Sequence, residues 1–83
     1  MKVQIRYFAS LREALGAEEC LDMPPGSTLA ELRDALVGRS PRHADLLARG
    51  RAVRCALAQR LCDEATPLIE GAEVAFFPPV TGG

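Results

Sequence analysis

From Lys2 to Phe8 apolar and polar positions alternate: Val3, Ile5 and Tyr7 fall on one face, and Lys2, Gln4, Arg6 and Phe8 on the other. A period of two is that of a strand with one buried face, and Phe8 is the apolar residue left on the polar side. Ser10, Leu11, Arg12 and Glu13 have the spacing of a capping box. Leu11, Ala14 and Leu15 then form an apolar stripe and Gly16 stops a helix of about two turns. Glu18 to Met23 predicts a second strand, antiparallel to the first, before Pro24-Pro25-Gly26 forces a turn. A second capping box, Thr28 to Glu31, opens the main helix, with Leu29, Leu32 and Leu36 along one side and Gly38 at its end. Ser40 followed by Pro41 starts a short helix carrying Ala44, Leu47 and Ala48 and running out at Gly50. From Arg51 the period returns to two. Val53, Cys55 and Leu57 face inward, Gln59-Arg60 makes a tight turn into Leu61-Cys62, and Glu73 to Phe77 supplies a last strand after turns at Thr66-Pro67 and Glu70-Gly71. Strand, helix, strand, helix, short helix and three strands predict an α+β mixed sheet of about five strands with the helices packed on one face.

That arrangement leaves the other sheet face open. If Val74 and Phe76 point at the helices, Ala75 and Phe77 point away, beside Phe8 if the first and last strands are neighbours. Leu61 joins them from the hairpin. Phe8, Leu61 and Phe77 are thus candidates for a partner-docking patch; the alternative is that Phe77 packs under its own tail and Phe8 under a loop.

After Phe77 the pattern stops. Pro78 and Pro79 cannot continue a ladder and hold the chain extended, Val80 and Thr81 prolong the rod, and Gly82 and Gly83 have no Cβ to obstruct passage through a narrow slot. Six residues span roughly 20 Å at about 3.3–3.6 Å each, enough to enter another protein's active site. The functional group Gly83 offers is an α-carboxylate, a poor electrophile until a second enzyme activates it, most simply as an acyl adenylate made from ATP. A Gly-Gly pair is also what a frayed chain end looks like.

Phe76 to Gly83, preceded by Glu70-Gly71-Ala72-Glu73-Val74, resembles the C-terminus of the small, sulfur-carrying subunit of molybdopterin synthase, a ubiquitin-like β-grasp family. Tyr7 to Glu13 and Gly16 resemble that family's first strand and helix, whereas residues 39 to 52 are not distinctive. The resemblance implies one β-grasp domain over residues 1–83, with 78–83 as a protruding tail. It implies that Gly83 is adenylated by a ubiquitin-activating-enzyme-like adenylyltransferase, converted to a thiocarboxylate with sulfur from a donor protein, and inserted into the large subunit of a heterotetrameric synthase. There it delivers sulfur to a pterin precursor. Pro78, Pro79, Val80, Thr81 and Gly82 would thread the tail. ATP is consumed by the activating enzyme, and no cofactor or metal is expected to be held permanently.

Composition narrows the classes. At 83 residues one domain is expected, too small to house a multistep active site of its own. The 48% hydrophobic and 25% charged content is that of a globular chain rather than a disordered one. A net charge of −1 gives no drive toward nucleic acid or membrane, and the run Val74 to Phe77 is too short to span a bilayer or serve as a signal core, so the cytoplasm is the expected compartment. Arg39, Arg42, Arg49, Arg51 and Arg54 cluster without interleaved aromatics, which argues against nucleic-acid binding. Asp63, Glu64, Glu70 and Glu73 precede the tail, either as a solvated surface or as a steering charge. His43 sits alone among these arginines, without the acid partner or nucleophile that catalysis would require, and reads as a surface residue. Cys20, Cys55 and Cys62 are odd in number and lack C-x-x-C spacing, which argues against a disulfide framework or a zinc site.

Three function classes remain open. They are a sulfur carrier for molybdopterin synthesis, with a carrier for the thiazole of thiamine as a close relative; a ubiquitin-like modifier joined to target lysines through Gly83; and a β-grasp interaction module whose glycines are incidental.

Overall fold

The first strand, β1 (Lys2–Tyr7), buries Val3, Ile5 and Tyr7 almost completely and leaves Lys2, Gln4 and Arg6 on the far side, as the alternation requires. The computed structural model describes residues 1–48 and 50–78. Its remaining elements are α1 (Ala9–Leu15), β2 (Glu18–Asp22), α2 (Leu29–Val37), α3 (Pro41–Leu47), β3 (Arg54–Leu57), β4 (Arg60–Leu61) and β5 (Glu73–Phe77). The five strands form one sheet in the order β2-β1-β5-β3-β4, with β1 and β5 parallel and the other pairs antiparallel. This is the expected α+β mixed sheet, a β-grasp arrangement in which the last strand lies beside the first.

The helices cover one face. Leu11 of α1, Leu29, Leu32 and Leu36 of α2, and Leu47 of α3 meet Val3, Ile5, Tyr7, Cys55, Leu57, Val74 and Phe76 in a single core. Burying each such side chain contributes about 1.5–3 kcal/mol, so the sheet's inward half and the leucine stripes hold the fold together. Tyr7 stacks with Phe76 across the parallel pair, ring centroids 6.3 Å apart.

The start of α2 is fully satisfied. Thr28 and Glu31 form the expected capping box, while the N–H groups of Leu29 and Ala30 donate to the carbonyls of Thr66 and Glu64. The first-turn donors that a helix leaves free are therefore taken by its own cap and by the loop between β4 and β5. Before it, Ser27 N–H returns to the Pro24 carbonyl at 3.2 Å with Gly26 at φ +88°, a turn whose third position strongly favours glycine. Ser40 caps α3 through the N–H of His43, with Pro41 in the first turn.

Two local expectations are corrected. Ser10 does not cap α1: the strand conformation runs on through Phe8, whose N–H bonds the Phe76 carbonyl, and Phe8 is itself the cap residue. Ala9 at φ +53° then turns the chain directly into the helix, leaving Ser10 inside the first turn. The hairpin turn is Ala58-Gln59 rather than Gln59-Arg60. Both residues have positive φ, +51° and +69°, the signature of a two-residue turn usually built with asparagine and glycine. Composition hid it because neither residue is a turn former.

Candidate functional site

The register assembles the open face. Residues directly opposite one another share a side of the sheet, and Arg6, Ala75, Ala56 and Leu61 are linked in that way across four strands. One step along, Arg54 lies opposite Phe77, and the extended Phe8 continues β1 beside it. Phe8, Phe77 and Leu61, far apart in sequence, thus belong to one surface, with the alanines between them leaving it shallow. Leu61 is 63% exposed and Phe8 39%, while Phe77 is half-buried. Phe8 lies under the Arg6 guanidinium, 5.6 Å from the ring centroid, rather than under a loop.

Charge frames this apolar centre. Arg6 approaches Glu73 at 3.8 Å and Glu18 at 4.0 Å, and its Nε is buried without a hydrogen-bond partner. These side chains are substantially exposed, so the pairs contribute little to stability. Pro78, half-buried, leaves β5 beside Ser10, Leu11, Arg51, Ala52 and Val53, which line a concavity with it. Pro79, Val80, Thr81, Gly82 and Gly83, the remaining tail candidates, lie outside the described residues, as does Arg49.

Two polar constellations support the site from the helix side. Arg33 is 3% exposed, and its guanidinium donates to the carbonyls of Leu47 at 2.6 Å, Ala48 at 2.7 Å and Arg51 at 2.9 Å while pairing with Glu64. It thereby fastens the connection between α3 and β3 that borders Pro78. Glu19 is the second centre: its carboxylate accepts from Tyr7 Oη at 2.7 Å, lies 2.8 Å from His43 Nε2 and pairs with Arg39 at 3.0 Å. His43 Nδ1 is 2.7 Å from Ser40 Oγ. Burial opposes ionisation of Glu19, but the hydrogen bonds from Tyr7 and His43 and the charges of His43 and Arg39 outweigh it and hold the carboxyl below its ordinary value. The same neighbourhood, burial first and then the Glu19 carboxylate, raises the Tyr7 hydroxyl.

His43 is therefore not an unpartnered surface residue. Its acid partner comes from β2, 24 positions earlier, a pairing no local pattern could reveal. The acidic stretch before the tail is also largely engaged: Glu64 pairs with Arg33, Glu73 with Arg6, and Asp63 accepts from Ala65 N–H. Sequence reasoning passed over Arg33, whose signal was a charged residue directly after Leu32 on the buried stripe of α2. Among the described residues no group of histidines, cysteines and carboxylates could hold a metal ion, and no helix is long and apolar enough to cross a membrane.

A mixed sheet with β5 inserted beside β1, helices on one face and an apolar patch on the other defines a ubiquitin-like β-grasp protein. Residues 5–83 match the ThiS family model, and the chain belongs to the ThiS family. It is 39% identical over 84 residues to the molybdopterin synthase sulfur carrier subunit of Escherichia coli, an alignment covering 98% of this chain and 99% of that one. Among solved structures it is similar to the crystal structure of SAMP1 from Haloferax volcanii, at a TM-score of 0.81 and 26% identity over the whole of both chains. It is also similar, at a TM-score of 0.70 and 27% identity over the whole of both chains, to a chain in the complex of subunits 1 and 2 of the molybdopterin-converting factor from Helicobacter pylori.

Proposed function

We propose that this protein is the sulfur carrier subunit of a molybdopterin synthase, with Gly83 as the residue that carries the sulfur. The observation that bears most weight is that the family match runs through Gly83. The near-complete alignment with a relative named as that subunit agrees with it.

The chemistry follows from what a terminal glycine can do. Its carboxylate attacks the α-phosphorus of ATP on a partner adenylyltransferase, expelling pyrophosphate and making the carbonyl electrophilic. The outer sulfur of a donor protein's persulfide then attacks the carbonyl and displaces AMP, and a second protein thiol cleaves the resulting acyl disulfide, leaving a thiocarboxylate on Gly83 and a disulfide between the two thiols of the partner proteins. No side chain of this protein needs to act on the reacting carbonyl; the body presents it. Phe8, Phe77 and Leu61 dock the outer sheet face on the large subunit, and Pro78, Pro79, Val80, Thr81 and Gly82 carry Gly83 into that subunit's active site. The sulfur passes to the pterin precursor there. The Helicobacter pylori complex of two converting-factor subunits supports such an assembly by analogy.

Likeness to SAMP1, a small archaeal modifier protein, supports a second reading, in which the same adenylate is captured by lysines of target proteins. One experiment separates the two. Co-expression with an adenylyltransferase of this class and a sulfur source, followed by intact mass measurement, is expected to replace one oxygen by one sulfur at Gly83, and deletion of Gly83 is expected to abolish the change without altering the circular dichroism spectrum. Absence of the sulfur form on folded protein, with isopeptide-linked conjugates on a denaturing gel, would favour the modifier reading instead.

A further inference from the structure

The edge hairpin carries a pair of thiols with no assigned role. Ala56 lies opposite Leu61, and the ladder continues one step, with the Cys62 N–H donating to the Cys55 carbonyl at 3.4 Å. Cys55 and Cys62 are therefore cross-strand neighbours. For an antiparallel hydrogen-bonded pair the Cα atoms lie about 5.5 Å apart. Disulfides span Cα separations of about 4.4–6.8 Å, so the bond can close without a change of fold. Directly opposite residues share a side of the sheet, Cys55 Sγ lies 3.6 Å from the Cys62 backbone carbonyl, and both thiols are free. Both also line an open concavity of about 520 Å³ with Arg54, Leu61 and Asp63, which gives a small molecule access.

We propose that Cys55 and Cys62 are a redox-active dithiol that closes to an intramolecular cross-strand disulfide by exchange with a small-molecule disulfide such as oxidised glutathione. Cys62, half-buried, is the entry thiol. Its thiolate attacks one sulfur of the oxidant, forming a mixed disulfide and releasing one glutathione thiolate, which takes up the proton Cys62 has lost. Cys55 then gives up its proton and attacks the Cys62 sulfur, expelling the second glutathione as its thiol. Two electrons pass from the protein to the oxidant, and one disulfide is exchanged for another. Burial pushes the Cys55 thiol up to about 11, with Cys62 and Glu64 adding to the effect and Arg33 opposing it, so the second step is the slower one. Cys20 is an internal control: it is exposed on β2, at the opposite edge of the sheet from β4.

The test uses the full reduced chain. It is exposed to oxidised glutathione, quenched in acid, alkylated with N-ethylmaleimide and digested with trypsin, which cuts after Arg54 and Arg60 and so places the two cysteines on separate peptides. The expected product carries maleimide on Cys20 alone, with the Cys55 and Cys62 peptides joined and parted again by a reductant. Cys62→Ser should lose the joined species while Cys20→Ser keeps it. Maleimide on all three cysteines after exposure would overturn the proposal. So would a mixed disulfide that persists on Cys62, or a dimer linked through Cys20 with the pair still free.

Discussion

Arg33 offers a direct test of what holds the connection between α3 and β3. Replacing it with methionine keeps most of the apolar volume and removes the guanidinium donors to the carbonyls of Leu47, Ala48 and Arg51, although the Ala48 carbonyl keeps the Arg51 N–H at 2.8 Å. Leu47 is fully buried and Ala48 half-buried, whereas Arg51 is exposed and its carbonyl can turn to water. A buried acceptor left without a partner costs about 1–3 kcal/mol, and the Leu47 carbonyl is the one so left, so the expected loss is about 1–3 kcal/mol. The ion pair is a smaller matter, because the Glu64 side chain is 32% exposed and Glu64→Gln should cost less than about 1 kcal/mol. At roughly 0.05–0.15 kcal/mol per residue the whole domain is stable by only about 4–12 kcal/mol, so Arg33→Met removes a large share. The protein has one tyrosine and no tryptophan, so urea unfolding is best followed by far-ultraviolet circular dichroism. With a slope of about 1 kcal/mol per molar, the midpoint should fall by roughly 1–3 M. If Arg33→Met costs under about 1 kcal/mol, or Glu64→Gln costs as much as Arg33→Met, carbonyl satisfaction is not what this residue supplies.

Three further outcomes follow from the same geometry. Glu19 is ionised more readily in the folded protein than its ordinary value of 4.5. Its contribution is therefore present above that value and is lost as pH falls through the lower folded one; Glu19→Gln should flatten the acid limb of a melting-temperature profile measured between about pH 3 and 6. Ala58→Asn with Gln59→Gly gives the hairpin turn residues suited to its positive φ angles and should raise stability by about 0.5–1.5 kcal/mol in thermal or urea unfolding. Leu61→Asp, at a 63% exposed position, should leave the unfolding midpoint nearly unchanged while weakening binding to the large synthase subunit at least about tenfold by calorimetry. An unchanged affinity would remove Leu61 from the docking surface.

The legible part of this protein was its local periodicity. Alternation in β1 and β5, the leucine stripe of α2, the Thr28 box and the Ser40-Pro41 start each depend on neighbours within a few residues, and each stands in the fold. Phe8 and Phe77 were identifiable as misfits because burial on one face of a strand leaves the other face accountable. What a local reading could not carry was any choice made between distant segments. Ser10 met the composition rule for a cap, yet β5 holds Phe8 in strand conformation, and Ala9 accepts an unfavourable φ to start the helix. Arg33 and Glu19 look like ordinary charges until α3, the loop after β4 and β1 are folded around them.

The amino-acid order alone determined the class of fold and the apolar residues of the open face, since both arise from side-chain period. Tertiary structure decided the strand order, and with it which residues share a surface. Only after β5 inserts between β1 and β3 do Phe8, Phe77 and Leu61 fall on one side. Tyr7, Glu19 and His43 meet on the other because β1 pairs with β2 and α3 packs over that face, not because they are near along the chain.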